Sequence, residues 1–169
     1  MLKPDHVVEI YLQPGDFYFG DQDTRIRTVL GSCVSVTMWH PQRLIGGMCH
    51  YMLPGGGRIT PGRLDGRYAD EAMQMFLLEI RAAKTNPAEY RVKLFGAGNM
   101  FPGLKKNRSD QSGPNVPDKN KATAYSLIEK HGFKIVAESL GGDGHRQVIF
   151  DIWSGHAWVR KPPLLNTLS

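Results

Sequence analysis

The chain has 169 residues, 41% hydrophobic and 22% charged, with a formal net charge of +5 and a pI near 9.3. That is enough apolar material for a sizeable core, and neither a composition shift nor an internal repeat marks a second unit, so one domain over 1–169 is expected, with its core at about 8–160 and a C-terminal tail at 161–169. The start, Met-Leu-Lys-Pro-Asp-His, carries no signal-peptide pattern, no apolar run reaches the ~18 residues of a membrane span, and the scattered basic residues lack the dense, aromatic-interleaved patch of a nucleic-acid binder, which points to a cytoplasmic protein whose basic face suits docking on an acidic protein.

In chain order, Val7 to Leu12 reads as a strand closed by Gln-Pro-Gly, and Thr24 to Leu30 and Val34 to Trp39 as strands flanking a Gly31-Ser32 turn. His40-Pro41 turns into a β-type run from Leu44 to Leu53 that carries His50. Met73, Phe76, Leu77, Ile80 and Ala83 recur at helical spacing and predict a helix over 70–84, closed by Asn86-Pro87. Tyr90 to Phe95 is a further strand that ends in Gly96-Ala-Gly98. After a polar stretch from Lys105 to Lys119, Lys121 to His131 forms a second helix stopped by Gly132. Phe133 to Leu140, Arg146 to Trp153 and His156 to Arg160 then read as a meander, broken by Gly141-Gly-Asp-Gly144, where glycines serve positive φ, and by Ser154-Gly155. Many strands with two clear helices argue for an α+β sandwich rather than a βαβ alternation.

The chemistry concentrates in Thr28-Val-Leu-Gly-Ser-Cys33 and Cys49-His50. A thiol and an imidazole on neighbouring strands are the minimum equipment for acyl transfer, because the imidazole takes the thiol proton and the thiolate attacks a carbonyl carbon. A buried structural cysteine and a hydrogen-bonded histidine are the plainer alternative. Zinc held by Cys33, Cys49, His50 and His40 is disfavoured, since no paired-ligand spacing occurs and adjacent Cys49 and His50 face opposite sides of a strand, so no metal is expected. Gly96-Ala-Gly98 lacks the third glycine and the Gly-Lys-Ser/Thr of a phosphate loop, which leaves a strand-end turn and no cofactor. Both cysteines are expected as free thiols.

Six segments, Leu-Gly-Ser-Cys33, His50-Tyr-Met-Leu-Pro, Arg67-Tyr-Ala-Asp, Lys93-Leu-Phe-Gly-Ala-Gly-Asn-Met100, Pro114-Asn-Val and Gly141-Gly-Asp-Gly-His-Arg146, occur in one order over about 8–160. In this the chain resembles the CheD family of chemoreceptor glutamine deamidases. The resemblance implies a layered, mixed β-sheet sandwich with two or three helices packed to one side. It makes Cys33 the nucleophile, His50 the general base and Thr28 the residue that orients the imidazole, with backbone N–H groups of Ser32 and Cys33 facing the oxyanion. The family's threonine lies six positions before the cysteine and Thr28 lies five before, so strand alternation asks for a bulge or tight turn to aim Thr28 correctly. The implied activity converts receptor glutamines to glutamate through a thioester, a route that also accepts glutamate methyl esters. Implied partners are the cytoplasmic domain of a methyl-accepting chemoreceptor and a CheC-type phosphatase. A non-catalytic adaptor for either partner is the alternative. Gly55-Gly56-Gly57, with Arg58 at its edge, reads as a pliable substrate loop.

Overall fold

A computed structural model describes residues 2–56, 59, 62–102 and 115–162. Its strands are β1 (Val8–Leu12), β2 (Phe17–Gly20), β3 (Thr24–Leu30), β4 (Val34–His40), β5 (Ile45–Cys49), β6 (Arg91–Gly96), β7 (Lys134–Leu140), β8 (Arg146–Asp151) and β9 (His156–Arg160). The helices are α1 (Ala69–Ala82) and α2 (Val116–Lys130), with a short 3-10 turn at Pro87–Glu89.

The strands form two mixed sheets, one of four strands in the order β1-β3-β8-β9 and one of five in the order β2-β5-β4-β6-β7. β3 shows why they stack. Thr24, Ile26, Thr28 and Leu30 are buried while Arg25, Arg27 and Val29 are less so, the period-two pattern of a strand with one face inward. Ile26, Leu30, Val148 and Phe150 of the four-stranded sheet meet Met48 and Phe95 of the other. The opposite face of the five-stranded sheet presents Val34, Val36, Met38, Cys49, Val92 and Leu94 to both helices, which supply Ala72, Met73, Phe76 and Ile80 from α1 and Ala124 and Ile128 from α2. The layers are therefore helices, five strands, four strands, an α+β sandwich with the helices on one side, as expected. No helix among the described residues is long and apolar enough to cross a membrane.

Three element readings need correction. The last three strands are not a meander, because β7 runs parallel to β6 in the five-stranded sheet, whereas β8 pairs with β3 and β9 in the other. Local sequence carries no signal for which sheet a strand joins. β2 was not anticipated, being four residues long and paired only at a sheet edge with β5. α2 begins at Val116, ahead of Lys121, where Asn115 caps it by accepting from the Asp118 N–H at 3.1 Å. Its polar first turns hid that start.

Candidate active site

The link from β3 to β4, Gly31-Ser32-Cys33, carries the chain from one sheet to the other. All three of its carbonyls are tied: Gly31 O accepts from Gly98 N–H at 2.9 Å, Cys33 O from Ala97 N–H at 2.8 Å, and Ser32 O from the Asn120 side-chain amide at 3.2 Å. The N–H groups of Ser32 and Cys33, by contrast, donate to no described residue. The link is thus held from behind, with two donors that no described residue engages. Gly96-Ala-Gly98, expected as a mere strand-end turn, is its backing: Gly96 has φ +110° and Ala97 φ +53°, and a Cβ on Gly96 would collide with the Cys33 carbonyl oxygen.

His50 follows β5 directly. Its backbone is pinned on both sides, N–H to Asp16 O at 3.2 Å and C=O from Gly15 N–H at 2.8 Å. Val34 and Tyr51 exchange backbone bonds of 3.1 and 3.0 Å, so Cys33 and His50, each one residue along, both turn away from the helices toward the four-stranded sheet. There the His50 ring meets Thr28, whose Oγ1 lies 2.7 Å from Nδ1. Thr28 has one hydroxyl hydrogen and donates it to the Leu12 carbonyl at 2.9 Å. The short contact is therefore Nδ1–H donating to Thr28, which places the imidazole lone pair on Nε2. Nε2 is buried and has no hydrogen-bond partner among the described residues. No hydrogen bond joins Cys33 to His50 among the described residues.

No bulge is needed to aim Thr28. β3 keeps continuous register with both β1 and β8, and position 28 falls on the inward half of its alternation. Arg27 faces the other way, where its guanidinium donates to Glu9 at 3.2 Å.

Burial sets the protonation states. It pushes the His50 pKa down to about 4, against a smaller upward pull from Asp16, so the ring is neutral at pH 7. Burial also raises the pKa of the half-buried Cys33 thiol. The pair therefore rests as thiol and neutral imidazole rather than as an ion pair. Both cysteines are free thiols, and Cys49 lies on the helix side, where burial pushes its pKa up to about 12.

One residue that the sequence reading missed connects the parts. Asn120 of α2 is fully buried, and its amide N–H groups donate to Ser32 O at 3.2 Å and Met52 O at 2.8 Å, while its backbone carbonyl accepts from Tyr51 O–H at 2.6 Å. It bridges the cysteine link to the segment after His50. The available signal was an asparagine in register with Ala124 and Ile128 on the buried stripe of an otherwise polar helix. Gly55 and Gly56 sit against the start of α1, where a Cβ would meet Asp70 and Tyr68, both at 3.1 Å, and neither has positive φ. Gly57 and Arg58 lie outside the described residues.

The family model described as CheD chemotactic sensory transduction matches residues 52–161. A relative named probable chemoreceptor glutamine deamidase CheD, from Pseudomonas savastanoi pv. phaseolicola, is 52% identical over 165 residues, 97% of this chain and 90% of that protein. A Leptospira interrogans relative, probable chemoreceptor glutamine deamidase CheD 1, is 37% identical over 165 residues, covering 96% of this chain and 98% of its own. Among solved structures, the Bacillus licheniformis hypothetical protein YfiH aligns at a TM-score of 0.46 and 16% identity, over 73% of this chain and 50% of that one. The family match starts just after His50 and the full-length relatives run on across Thr28 to His50, so motif order, matched domain and near-complete alignment converge: this chain belongs to the CheD family.

Proposed function

We propose that this protein hydrolyses the side-chain amide of glutamines in a chemoreceptor's cytoplasmic domain, with Cys33 as nucleophile, His50 as base and Thr28 as the group that orients the imidazole. The relatives' name supplies the reaction and the substrate. The observation that carries the site assignment is the Thr28 hydroxyl, which gives its hydrogen to Leu12 and so obliges His50 to present a bare Nε2 lone pair.

As Cys33 Sγ bonds to the amide carbon, Nε2 takes the thiol proton, and the carbonyl oxygen becomes an oxyanion. The N–H groups of Ser32 and Cys33, which donate to no described residue, are the donors for that charge, a contribution of ~10²-fold or more per donor in comparable sites. Collapse breaks the C–N bond, and the imidazolium returns its proton to the departing ammonia. Water, deprotonated by the same Nε2, then opens the thioester to glutamate and the Cys33 thiol. A glutamate methyl ester follows the same course with methanol leaving. Because thiol and imidazole both rest neutral, proton transfer accompanies attack rather than preceding it. Exposed Met52, Leu53, Met100 and Phe101, close in sequence to His50 or to the glycine turn behind Cys33, offer apolar surface for a receptor segment.

Mass spectrometry of receptor fragments incubated with the protein tests the proposal. A gain of ~1 Da at glutamine, absent with Cys33→Ala, is the expected result for amide-to-acid conversion. Receptor binding without any mass gain would leave an adaptor.

A further inference from the structure

At the other end of the two sheets, about one strand length from Cys33, lies a cavity of roughly 360 Å³, within the few hundred Å³ typical of small-ligand sites. Its wall includes Thr37 and Trp39 of β4, Arg91 and Lys93 of β6, Ser154 of the β8–β9 turn and His156 at the start of β9. Among the described residues, no aspartate or glutamate lines it. That separates Arg91 and Lys93 from Arg25, Arg27 and Arg67, which hold Asp151, Glu9 and Asp65 respectively.

The two cations sit at positions i and i+2 of one strand and so share a face. Lys93 is half-buried, and its Nζ donates to the Gly155 carbonyl at 2.9 Å, which leaves two of its three N–H donors. The Arg91 guanidinium stacks over the Trp39 ring, 5.6 Å from its centroid, and has no carboxylate partner among the described residues. Burial and the neighbouring Arg91 both pull the Lys93 pKa down, so the site holds unrelieved like-charge repulsion. Ser154 Oγ accepts the His156 N–H at 3.2 Å and keeps its own hydrogen to donate. The turn is pressed onto the indole, where a Cβ on Gly155 would collide with Trp39.

We propose that this cavity binds the phosphate group of a small phosphorylated molecule, with Lys93 and Arg91 supplying charge and Ser154 a hydroxyl donor. Donors arrive from β6 and from the β8–β9 turn, which suits a tetrahedral oxyanion accepting in several directions better than a planar carboxylate. The site stands apart from Cys33 and does not depend on the deamidase reading.

Calorimetric titration of the full chain with inorganic phosphate, at constant ionic strength, tests it. Saturable binding is expected, weakened at least ~10-fold by Lys93→Met and by Arg91→Met and unchanged by Lys130→Met, which removes the same charge from the end of α2. Arg91 is exposed, so its variant keeps the test valid if Lys93→Met does not fold. A response that never saturates, equal weakening in Lys130→Met, or acetate binding as tightly as phosphate would each overturn the proposal.

Discussion

The two faces of the five-stranded sheet separate the consecutive residues Cys49 and His50. On the helix face, Cys49 is packed with Val34, Val36, Tyr51, Ala72 and Phe76, and burial dominates, raising its thiol pKa to about 12 against smaller downward pulls from backbone hydrogen bonds. On the face toward the four-stranded sheet, His50 is just as buried, yet Thr28 fixes one ring nitrogen and leaves the other bare. Desolvation keeps both side chains neutral at pH 7, leaving one a packed thiol and the other a neutral imidazole held in one tautomer. What distinguishes them is a single polar partner reaching across from β3. Burial makes a group neutral, but only a directional partner decides which of its atoms is available for chemistry.

The largest effect expected from breaking this contrast is at the site itself. Cys33→Ala and His50→Ala should each lower the deamidation rate by roughly 10³-fold or more, and the double variant should be no worse than either, because members of one catalytic unit are not additive. Initial rates from mass spectrometry of receptor fragments check this, and fully additive losses would dissolve the pairing.

The second effect is on stability. An unfolded His50 titrates near the ordinary 6.5 and the folded one near 4, so between these pH values the unfolded chain binds more protons. The His50 contribution is intact above about pH 6.5 and declines as pH falls toward 4, by on the order of 3 kcal/mol. Urea unfolding of the protein and of His50→Gln across that range should show a shallower decline in the variant; parallel curves would mean that burial does not hold the ring neutral.

A smaller loss is expected at the partner. Thr28→Val removes the acceptor for Nδ1–H and frees the tautomer, at a cost of about 10-fold in rate, or ~1.4 kcal/mol of transition-state stabilisation. Arg27→Ala should leave the chemical step on a glutamine peptide unchanged, since its guanidinium sits with Glu9 on the outer face. A reversal of the two would show that Thr28 is not the orienting group. Smallest of all, Cys49→Ala should destabilise the fold by ~1 kcal/mol through lost packing and leave the deamidation rate as it was, read from thermal unfolding and from the same assay.

The strands that frame the site were legible because half-buried strands announce themselves by alternation. Thr24 to Leu30 was read with its observed bounds, and the opposite facing of Cys49 and His50 follows from the same period of two. Reading Thr28 against another spacing led to a bulge that β3 does not contain, since the inward face of a strand is set by its own sheet, not by distance to the next motif. Asn120 lies far along the chain from Ser32 and Met52, and nothing local to α2 says which carbonyls it will meet.

The sequence by itself determined the two helices, most of the strands, the α+β class and the six ordered segments, because propensity, periodicity and motif order are properties of neighbouring residues. Only the tertiary structure decided that β7 joins the helix-covered sheet, that Gly96-Ala-Gly98 backs the cysteine link, and that Leu12 takes the Thr28 hydrogen and so sets the His50 tautomer. Each of those depends on hydrogen bonds between segments distant in the chain, whose partners are chosen by how two sheets stack rather than by any local preference.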